Sequence, residues 1–367
     1  MKRTRGRVID VDSLVDLDRR LASGATSMRG WQVRNLDLRE RGGQLERVRL
    51  SGASFLGCRF ADGDERAVVA AGALVLPVIS SAPVDVYRST LYSPEELYDD
   101  PTYAASLDGR AYAWSQRPAG PDHLLAQTLH DHAIDEALTA WTAPQHLVGV
   151  MGGHAWQRGE PEYLEAVRLG HSIGGSAVVA TGGGPGAMEA ASLGARLARR
   201  PFHDLDEAVA MLAAVPSFRP SVEEWVRAAF SVCDRFDDPA PSLGIPTWHY
   251  GHEPSHVFAT AIAKYFGNPS REAVLLEVCD GGIVFLPGAA GTIQEVFQDA
   301  CENYYADESS VAPMVLVGAT YWTQTLPAWP LLQALARGRA MEGHVHLVDS
   351  AADAAALLRV SPPAARE

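Results

Sequence analysis

Residues 282–297, GIVFLPGAAGTIQEVF, form the stretch that decides the fold. Residues 283–286 are a short apolar run, which predicts a strand buried on both faces. Pro287 ends this strand, and the small residues from Gly288 to Gly291 leave room for a ligand at the backbone. We expect Thr292 to open a helix. A strand, a glycine turn and a helix N-terminus together predict an anion-binding site.

The same residues allow a purely structural interpretation. Thr292 and Glu295 have the spacing of a capping box, in which the glutamate only satisfies backbone N–H groups of its own helix. This stretch taken alone leaves both roles of Glu295 open.

Composition restricts the class of protein. The chain has 367 residues, 47% of them hydrophobic and 21% charged, which predicts a globular protein of about two domains. No run approaches the roughly 20 apolar residues that a membrane span requires, and the N-terminus lacks an apolar signal core. Four scattered cysteines, Cys58, Cys233, Cys279 and Cys301, indicate neither a disulfide scaffold nor a zinc site. We therefore expect a cytoplasmic protein.

Charge and lysine content narrow the possible partners. A formal charge of −14 argues against nucleic acid, because phosphate backbones bind to basic surfaces. Lys2 and Lys264 are the only lysines, so the chain has no Gly-Lys-Ser/Thr phosphate loop. Lys264 alone could carry a pyridoxal Schiff base, and its neighbours offer no cofactor-binding pattern.

Residues 1–140 are expected to form a separate, small β-rich domain. The pairs Val48-x-Leu50, Ala53-x-Phe55 and Cys58-x-Phe60 recur every five residues, which resembles about one coil of a pentapeptide-repeat β-helix. An irregular β meander is an equally open interpretation. Residues 87–121 are rich in Pro, Tyr, Asp and Ser and indicate a linker with short helices, and 123–141 are expected to be helical.

Residues 141–360 alternate between strands and helices, which predicts a parallel sheet with helices on both faces. The predicted strands are 147–151, 177–180, 243–250, 283–286, 314–318 and 345–348. The predicted helices are 162–173, 187–199, 257–266, 294–304, 329–336 and 352–358, with a helical insertion at 200–243. Residues 361–367 are expected to be a frayed tail. Ligands of such sheets bind beyond the carboxyl ends of the strands.

The sequence His252-Glu253-Pro254-Ser255-His256 matches the metalloprotease pattern H-E-x-x-H. Zinc binding in that pattern requires both histidines on one face of a continuous helix. Pro254 belongs in a first helical turn, which leaves His252 outside the helix. We therefore expect no metal site here.

A second glycine loop, residues 181–186 (TGGGPG), follows a predicted strand about a hundred residues before the first loop. The pair GGPGAMEA (183–190) and PGxxGTxxE (287–295) resembles the LOG (Lonely Guy) family. Its members are Rossmann-like cytokinin-riboside-monophosphate phosphoribohydrolases and related bacterial nucleotide nucleosidases, formerly named lysine decarboxylases. The resemblance covers residues 146–358. The family has glycine where this chain has Ala289. We expect the added methyl group to change the path of the loop or to narrow the range of ligands.

The resemblance implies a Rossmann-like fold and hydrolysis of the N-glycosidic bond of a nucleoside 5′-monophosphate. It implies a 5′-phosphate bound to N–H groups of Gly288, Gly291 and Thr292, with Gly183 and Gly184 as the opposite wall. It also implies a homodimer and needs no metal or organic cofactor.

The resemblance assigns the chemistry to two side chains. Glu295 would stabilise the oxocarbenium-like sugar and orient water. Arg271, sixteen residues before Pro287, would orient the phosphate or the base. The alternative function is a non-catalytic nucleotide sensor of the same fold, which Ala289 and the appended residues 1–140 favour. A pyridoxal decarboxylase based on Lys264 is disfavoured.

Overall fold

The computed structural model describes residues 8–118, 120–250 and 253–358, which form two compact units. One unit comprises the chain up to Thr90 together with Pro118–Ala137, and the other comprises Leu91–Arg117 and the chain from Leu138 onward. In chain order the strands and helices are β1 (Ile9–Val11), α1 (Leu14–Ala22), β2 (Trp31–Arg34), α2 (Gly42–Leu45), β3 (Ser54–Leu56), α3 (Asp64–Ala70), β4 (Leu74–Leu76), α4 (Pro94–Leu97), α5 (Leu107–Ser115), α6 (Pro121–Thr142), β5 (Leu147–Met151), α7 (Pro161–Gly174), β6 (Val178–Thr181), α8 (Ala187–Arg196), α9 (Phe202–Ala213), α10 (Val222–Arg235), β7 (Ser242–Gly244), β8 (Ala261–Ile262), α11 (Asn268–Glu277), β9 (Ile283–Phe285), α12 (Ala290–Tyr305), β10 (Met314–Val317), α13 (Ala328–Ala336), β11 (Val345–Val348) and α14 (Ala351–Leu358).

The first unit is a parallel four-stranded sheet in the order β1-β2-β3-β4, with a helix after each of the first three strands. Its register advances by 22 residues from β1 to β2 and from β2 to β3, as in the pairs Ile9↔Trp31 and Gln32↔Ser54, and by 20 residues from β3 to β4. Val33 pairs with both Val11 and Phe55, so apolar side chains at equivalent positions stack into a continuous core. The unit is therefore a β–α solenoid with a repeat of about 22 residues.

This repeat corrects the pentapeptide prediction. The inward-facing residues of the predicted five-residue pattern are indeed buried, among them Leu50, Ala53, Phe55 and Cys58. They belong, however, to a single β–α repeat and not to successive sides of a square coil. Gly52 donates to the carbonyl of Gly72 and accepts from the N–H of Gly30, and these glycines precede successive strands. Their spacing was the sequence evidence for the true period.

The second unit contains a seven-stranded, wholly parallel sheet in the order β11-β10-β9-β5-β6-β7-β8. Helices flank it, with α7, α8 and α14 packed together and α11, α12 and α13 in a second group. The α/β fold with a Rossmann-like parallel sheet is thus confirmed. The chain leaves β5 toward β6 on one side and returns to β9 on the other. The switch point, where ligands of such sheets bind, lies beyond the carboxyl ends of β5 and β9.

The division between the units differs from the predicted boundary at residue 140, because residues 91–117 belong to the second unit. Asp108 on α5 accepts hydrogen bonds from Lys264 Nζ (2.5 Å), Trp248 Nε1 (3.0 Å) and the hydroxyl of Tyr103 (3.1 Å). Burial lowers the pKa of Lys264, and Asp108 opposes that shift. The lysine therefore anchors α5 as part of a buried network, which leaves its amine no opening toward a cofactor.

Residues 257–266 are not a helix, so that prediction was wrong. Their backbone is extended: Ala261–Ile262 pairs with β7, and Tyr265 bridges Thr247. Eight of these ten residues are hydrophobic, and the run is buried almost throughout. Such a run lacks the periodicity that separates a helix from a fully buried strand. The predicted tail, 361–367, lies outside the described residues. Among the residues that the structure describes, no helix is long and apolar enough to cross a membrane.

Candidate functional site

The N-terminus of α12 forms one side of the site. The helix begins at Ala290, two residues earlier than predicted, and its N-cap residue is Ala289, which makes no side-chain capping bond. Thr292 and Glu295 therefore lie inside the helix and do not form a capping box. The first N–H groups of a helix have no intrahelical partner, and Ala289, Ala290 and Gly291 are exposed. This end of α12 thus offers backbone donors and a favourable helix dipole to an anion.

The two glycines of this loop serve different purposes. Gly288 is buried, and a β-carbon there would overlap Thr292 Oγ1 and lie 2.9 Å from the backbone nitrogen of Gly153. Gly291 faces open space, with nothing within 4 Å of such a carbon. Gly288 is therefore required by packing, whereas Gly291 leaves space that a ligand could use. Ala289 has φ −90°, so the alanine that replaces the family's glycine does not lie in the left-handed region that favours glycine.

Glu295 lies on the buried face of α12, one turn beyond Thr292, with 9% of its surface exposed. Burial raises the pKa of its carboxyl to about 7, an effect that Arg271 opposes and Glu272 reinforces. A carboxyl held near neutrality in this way is typical of acid–base or electrostatic catalysts. The structure therefore brings Glu295 and Arg271 into one electrostatic environment.

Arg271, on α11, is buried and bonded to the ends of two strands. Its Nε donates to the carbonyl of Ile245 (2.6 Å), its Nη2 to the carbonyl of Gly182 (3.0 Å), and its Nη1 to Glu272 (2.8 Å). The guanidinium thus holds the loops after β6 and β7 beside each other. The leading prediction assigned Arg271 to ligand orientation, with a structural ion pair as the alternative, and these bonds give it a structural role.

The second glycine loop follows β6. Gly183 has φ +73°, and a β-carbon there would lie 2.7 Å from the ring of Pro246. Its N–H donates to Thr181 Oγ1 and its carbonyl accepts from the N–H of His256. Gly184 is also buried, and a β-carbon there would lie 2.9 Å from Met188 and 3.7 Å from a carboxylate oxygen of Glu253. Both glycines are therefore fixed by the residues packed around them.

His256 packs against this loop. Burial, assisted by the charge of Arg158, lowers the pKa of His256 to about 3, so the imidazole is neutral. Its Nδ1 accepts from the N–H of Phe258 (3.2 Å), and its Nε2 lies 3.4 Å from Thr181 Oγ1. The described part of the H-E-x-x-H pattern, 253–256, is not helical, and His252 lies outside the described residues. Among the residues that are described, no cluster of three or more metal-ligating side chains occurs.

The loop after β5 joins the two glycine loops, and sequence reasoning did not assign it to the site. The N–H of Gly153 donates to the carbonyl of Pro287 (3.1 Å), and its carbonyl accepts from Ala187 at the start of α8 (3.0 Å). His154 follows, with Nδ1 3.5 Å from a carboxylate oxygen of Glu253. The sequence evidence for this loop was Gly152-Gly153-His154 directly after the first buried strand.

A cavity of about 210 Å³ adjoins this loop and the second glycine loop. Its lining includes three aromatic side chains, Trp156, Phe218 and Trp225, together with His154 and Gly186. The first aromatic residue follows β5, and the other two belong to the predicted helical insertion, which the structure confirms as α9 and α10.

A buried ion pair shapes one wall of this cavity. Arg158 Nε lies 3.1 and 3.2 Å from the two carboxylate oxygens of Glu189, and both side chains are 1% exposed. Arg158 Nη1 also donates to the carbonyl of Trp225 (3.0 Å), and the guanidinium lies 4.5 Å from that ring's centroid. The pair therefore holds α10 against the glycine loop through α8.

Comparisons with known proteins found similarity only to solved structures. No protein-family model and no curated protein matches the chain. The molybdenum cofactor binding protein from the phototrophic bacterium Rippkaea orientalis is 18% identical with a TM-score of 0.38, and the match covers 59% of this chain and 96% of that one. The molybdenum cofactor carrier protein MCP from Chlamydomonas reinhardtii is 17% identical with a TM-score of 0.36 and the same coverage. At these identities and TM-scores, the likeness gives no information about the ligand of this chain.

Proposed function

We propose that this protein hydrolyses the N-glycosidic bond of a nucleoside 5′-monophosphate, releasing the free base and ribose 5-phosphate. The observation that carries the proposal is the buried carboxyl of Glu295, whose pKa is raised to about 7, on the helix whose exposed N-terminus suits a phosphate. The resemblance of both glycine loops to the LOG family supports the same reaction.

The phosphate would bind to backbone N–H groups at the start of α12. Gly291 leaves open space there, so a phosphate oxygen could approach the main chain without meeting a side chain. The rest of the nucleotide would lie above the carboxyl edge of the sheet, at the switch point between β5 and β9. The Gly183–Gly184 loop would form the opposite wall.

Glu295 would act on the sugar. Cleavage of the bond between C1′ and the base develops positive charge on the ribose, and a nearby carboxylate stabilises that charge. The same carboxylate orients a water molecule toward C1′ and accepts its proton. Burial strengthens both effects because the carboxylate is poorly screened.

Arg271 would contribute mainly by position. Its bonds to the carbonyls of Gly182 and Ile245 hold two ligand-facing loops in place, and its charge favours the ionised form of Glu295. An arginine has no proton to donate at neutral pH, so it is not an acid in this reaction. The proposed reaction requires no metal or organic cofactor. That the protein is a homodimer and lies in the cytoplasm stays a prediction.

Incubation of the pure protein with AMP, GMP, CMP, UMP and IMP tests the proposal, with released base measured by chromatography. We expect base release from at least one nucleotide and far slower release from its nucleoside, because the bound phosphate contributes binding energy to the reacting bond. Equal turnover of nucleotide and nucleoside would contradict the assignment of the glycine loops. Tight nucleotide binding without base release would instead support the nucleotide sensor.

A further inference from the structure

The proposed hydrolysis has a requirement that Glu295 and Arg271 do not meet. A purine leaves as an anion unless a ring nitrogen is protonated as the bond breaks, and general acids accelerate such steps. Glu295 is engaged on the sugar as a carboxylate, and an arginine does not donate a proton. A further side chain must therefore supply the proton to the base.

His154 is the acid–base group on the loop that joins the two glycine loops. Its side chain is 52% exposed, so the imidazole is open to a ligand, and its Nδ1 lies 3.5 Å from Glu253. The N–H of the adjacent Gly153 donates a hydrogen bond to the carbonyl of Pro287. The backbone of His154 packs closely on Gly186, because a β-carbon added to Gly186 would lie 2.8 Å from the His154 α-carbon. The histidine is therefore held at the carboxyl end of β5.

The cavity beside His154 has the properties of a site for a planar base. Trp156, Phe218 and Trp225 contribute aromatic surface, on which nucleobases stack. Gln157 and Ser217 also line it and can bond the edge of a ring. A cavity of about 210 Å³ has room for a bicyclic purine.

We propose that this cavity binds the purine of the nucleotide and that His154, oriented by Glu253, is the general acid that protonates the departing base. The inference rests on the proposed function. The bond between C1′ and the base nitrogen breaks and its electron pair passes to the base, whose ring nitrogen N7 takes the proton from imidazolium Nε2. Water forms the new bond to C1′, and its proton passes to Glu295. Exchange with solvent then restores both side chains.

Leaving groups that need no proton provide the test. 7-Methyl-GMP releases 7-methylguanine, and nicotinamide mononucleotide releases nicotinamide; both bases depart neutral without protonation. We expect His154→Gln to slow the hydrolysis of GMP and AMP on the order of 10²-fold or more. The same variant should hydrolyse 7-methyl-GMP and nicotinamide mononucleotide within about threefold of the wild-type rate, since no acid is needed. Glu253→Gln should give the same pattern with a smaller loss.

His203→Gln is the matched control. His203 is an exposed histidine paired with Asp204 (2.9 Å) on α9, and its loss should change neither class of substrate. If His154→Gln does not fold, Glu253→Gln carries the comparison, because it leaves the imidazole in place. Equal losses on both classes would overturn the proposal by marking His154 as structural, and so would an unchanged rate on GMP and AMP. A wild-type protein that releases no base from any nucleotide would instead refute the proposed function itself.

Discussion

Replacing Glu295 with glutamine separates catalysis from stability in one variant. The amide has nearly the same shape but carries no charge, so it cannot stabilise the oxocarbenium-like sugar. We expect base release to fall on the order of 10²-fold or more, as when other electrostatic stabilisers are lost, while nucleotide binding to the start of α12 persists.

The same substitution should make the protein more stable at alkaline pH. The folded-state pKa of Glu295 is about 7 against a reference value of 4.5, so between those pH values the folded state keeps a proton that the unfolded state has lost. The unfolding free energy of the wild type therefore falls as pH rises through this window. At ~1.4 kcal/mol per pKa unit the decrease reaches roughly 3 kcal/mol above pH 8. In the glutamine variant this decrease should be absent.

Three measurements on one preparation check this prediction: base release, nucleotide binding, and urea unfolding at pH 5 and pH 8.5. Glu302→Gln, an exposed carboxyl on the same helix, is the control and should leave turnover unchanged. Wild-type turnover of nicotinamide mononucleotide, whose base departs without a general acid, should also rise with pH through about 7 as the Glu295 carboxylate forms. If the glutamine variant keeps near wild-type turnover, Glu295 is not the catalytic group. If that variant is less stable than the wild type at pH 8.5, the burial argument is refuted.

Other substitutions test the loops and the buried charges around the site. Gly288→Ala should lower stability by roughly 1–3 kcal/mol through overpacking and abolish nucleotide binding. Gly291→Ala should gain up to about 1 kcal/mol of stability but bind nucleotide more weakly. Thermal melts and binding titrations distinguish the two variants, and equal melting temperatures would contradict the packing difference. Arg271→Met should lower both activity and the unfolding free energy, the latter by roughly 2–4 kcal/mol, because two buried carbonyls lose their donor; an unchanged melting temperature would restore the purely functional role. Glu189→Gln should cost about 3–5 kcal/mol in urea unfolding by leaving Arg158 unpaired, and a neutral result would show that the pair does not hold α10. Burial raises the pKa of Asp299 to about 8, and its Oδ2 has no hydrogen-bond partner among the described residues; Asp299→Asn should therefore raise the unfolding free energy by roughly 5 kcal/mol at pH 9 and little at pH 4, whereas equal effects at both would refute the assignment.

The sequence by itself determined the alternating core of the second unit. The runs that became β5, β6, β9 and β10 are short, apolar and bounded by glycine or proline, and such local patterns need no knowledge of partners. Both glycine loops were located for the same reason, since each follows a buried strand. Parallel pairing followed from the intervening helices.

Only the tertiary structure decided how the site is assembled. The choice between cap and buried carboxyl for Glu295 depended on where α12 begins and on Arg271 and Glu272, which lie on a different helix. Residues 257–266 became extended because β7 was available as a partner. The loop at Gly153 and His154 acquired its place through bonds to Pro287 and Ala187. These features rest on contacts between residues far apart in the chain, and a local pattern of apolar and polar residues carries no information about such contacts.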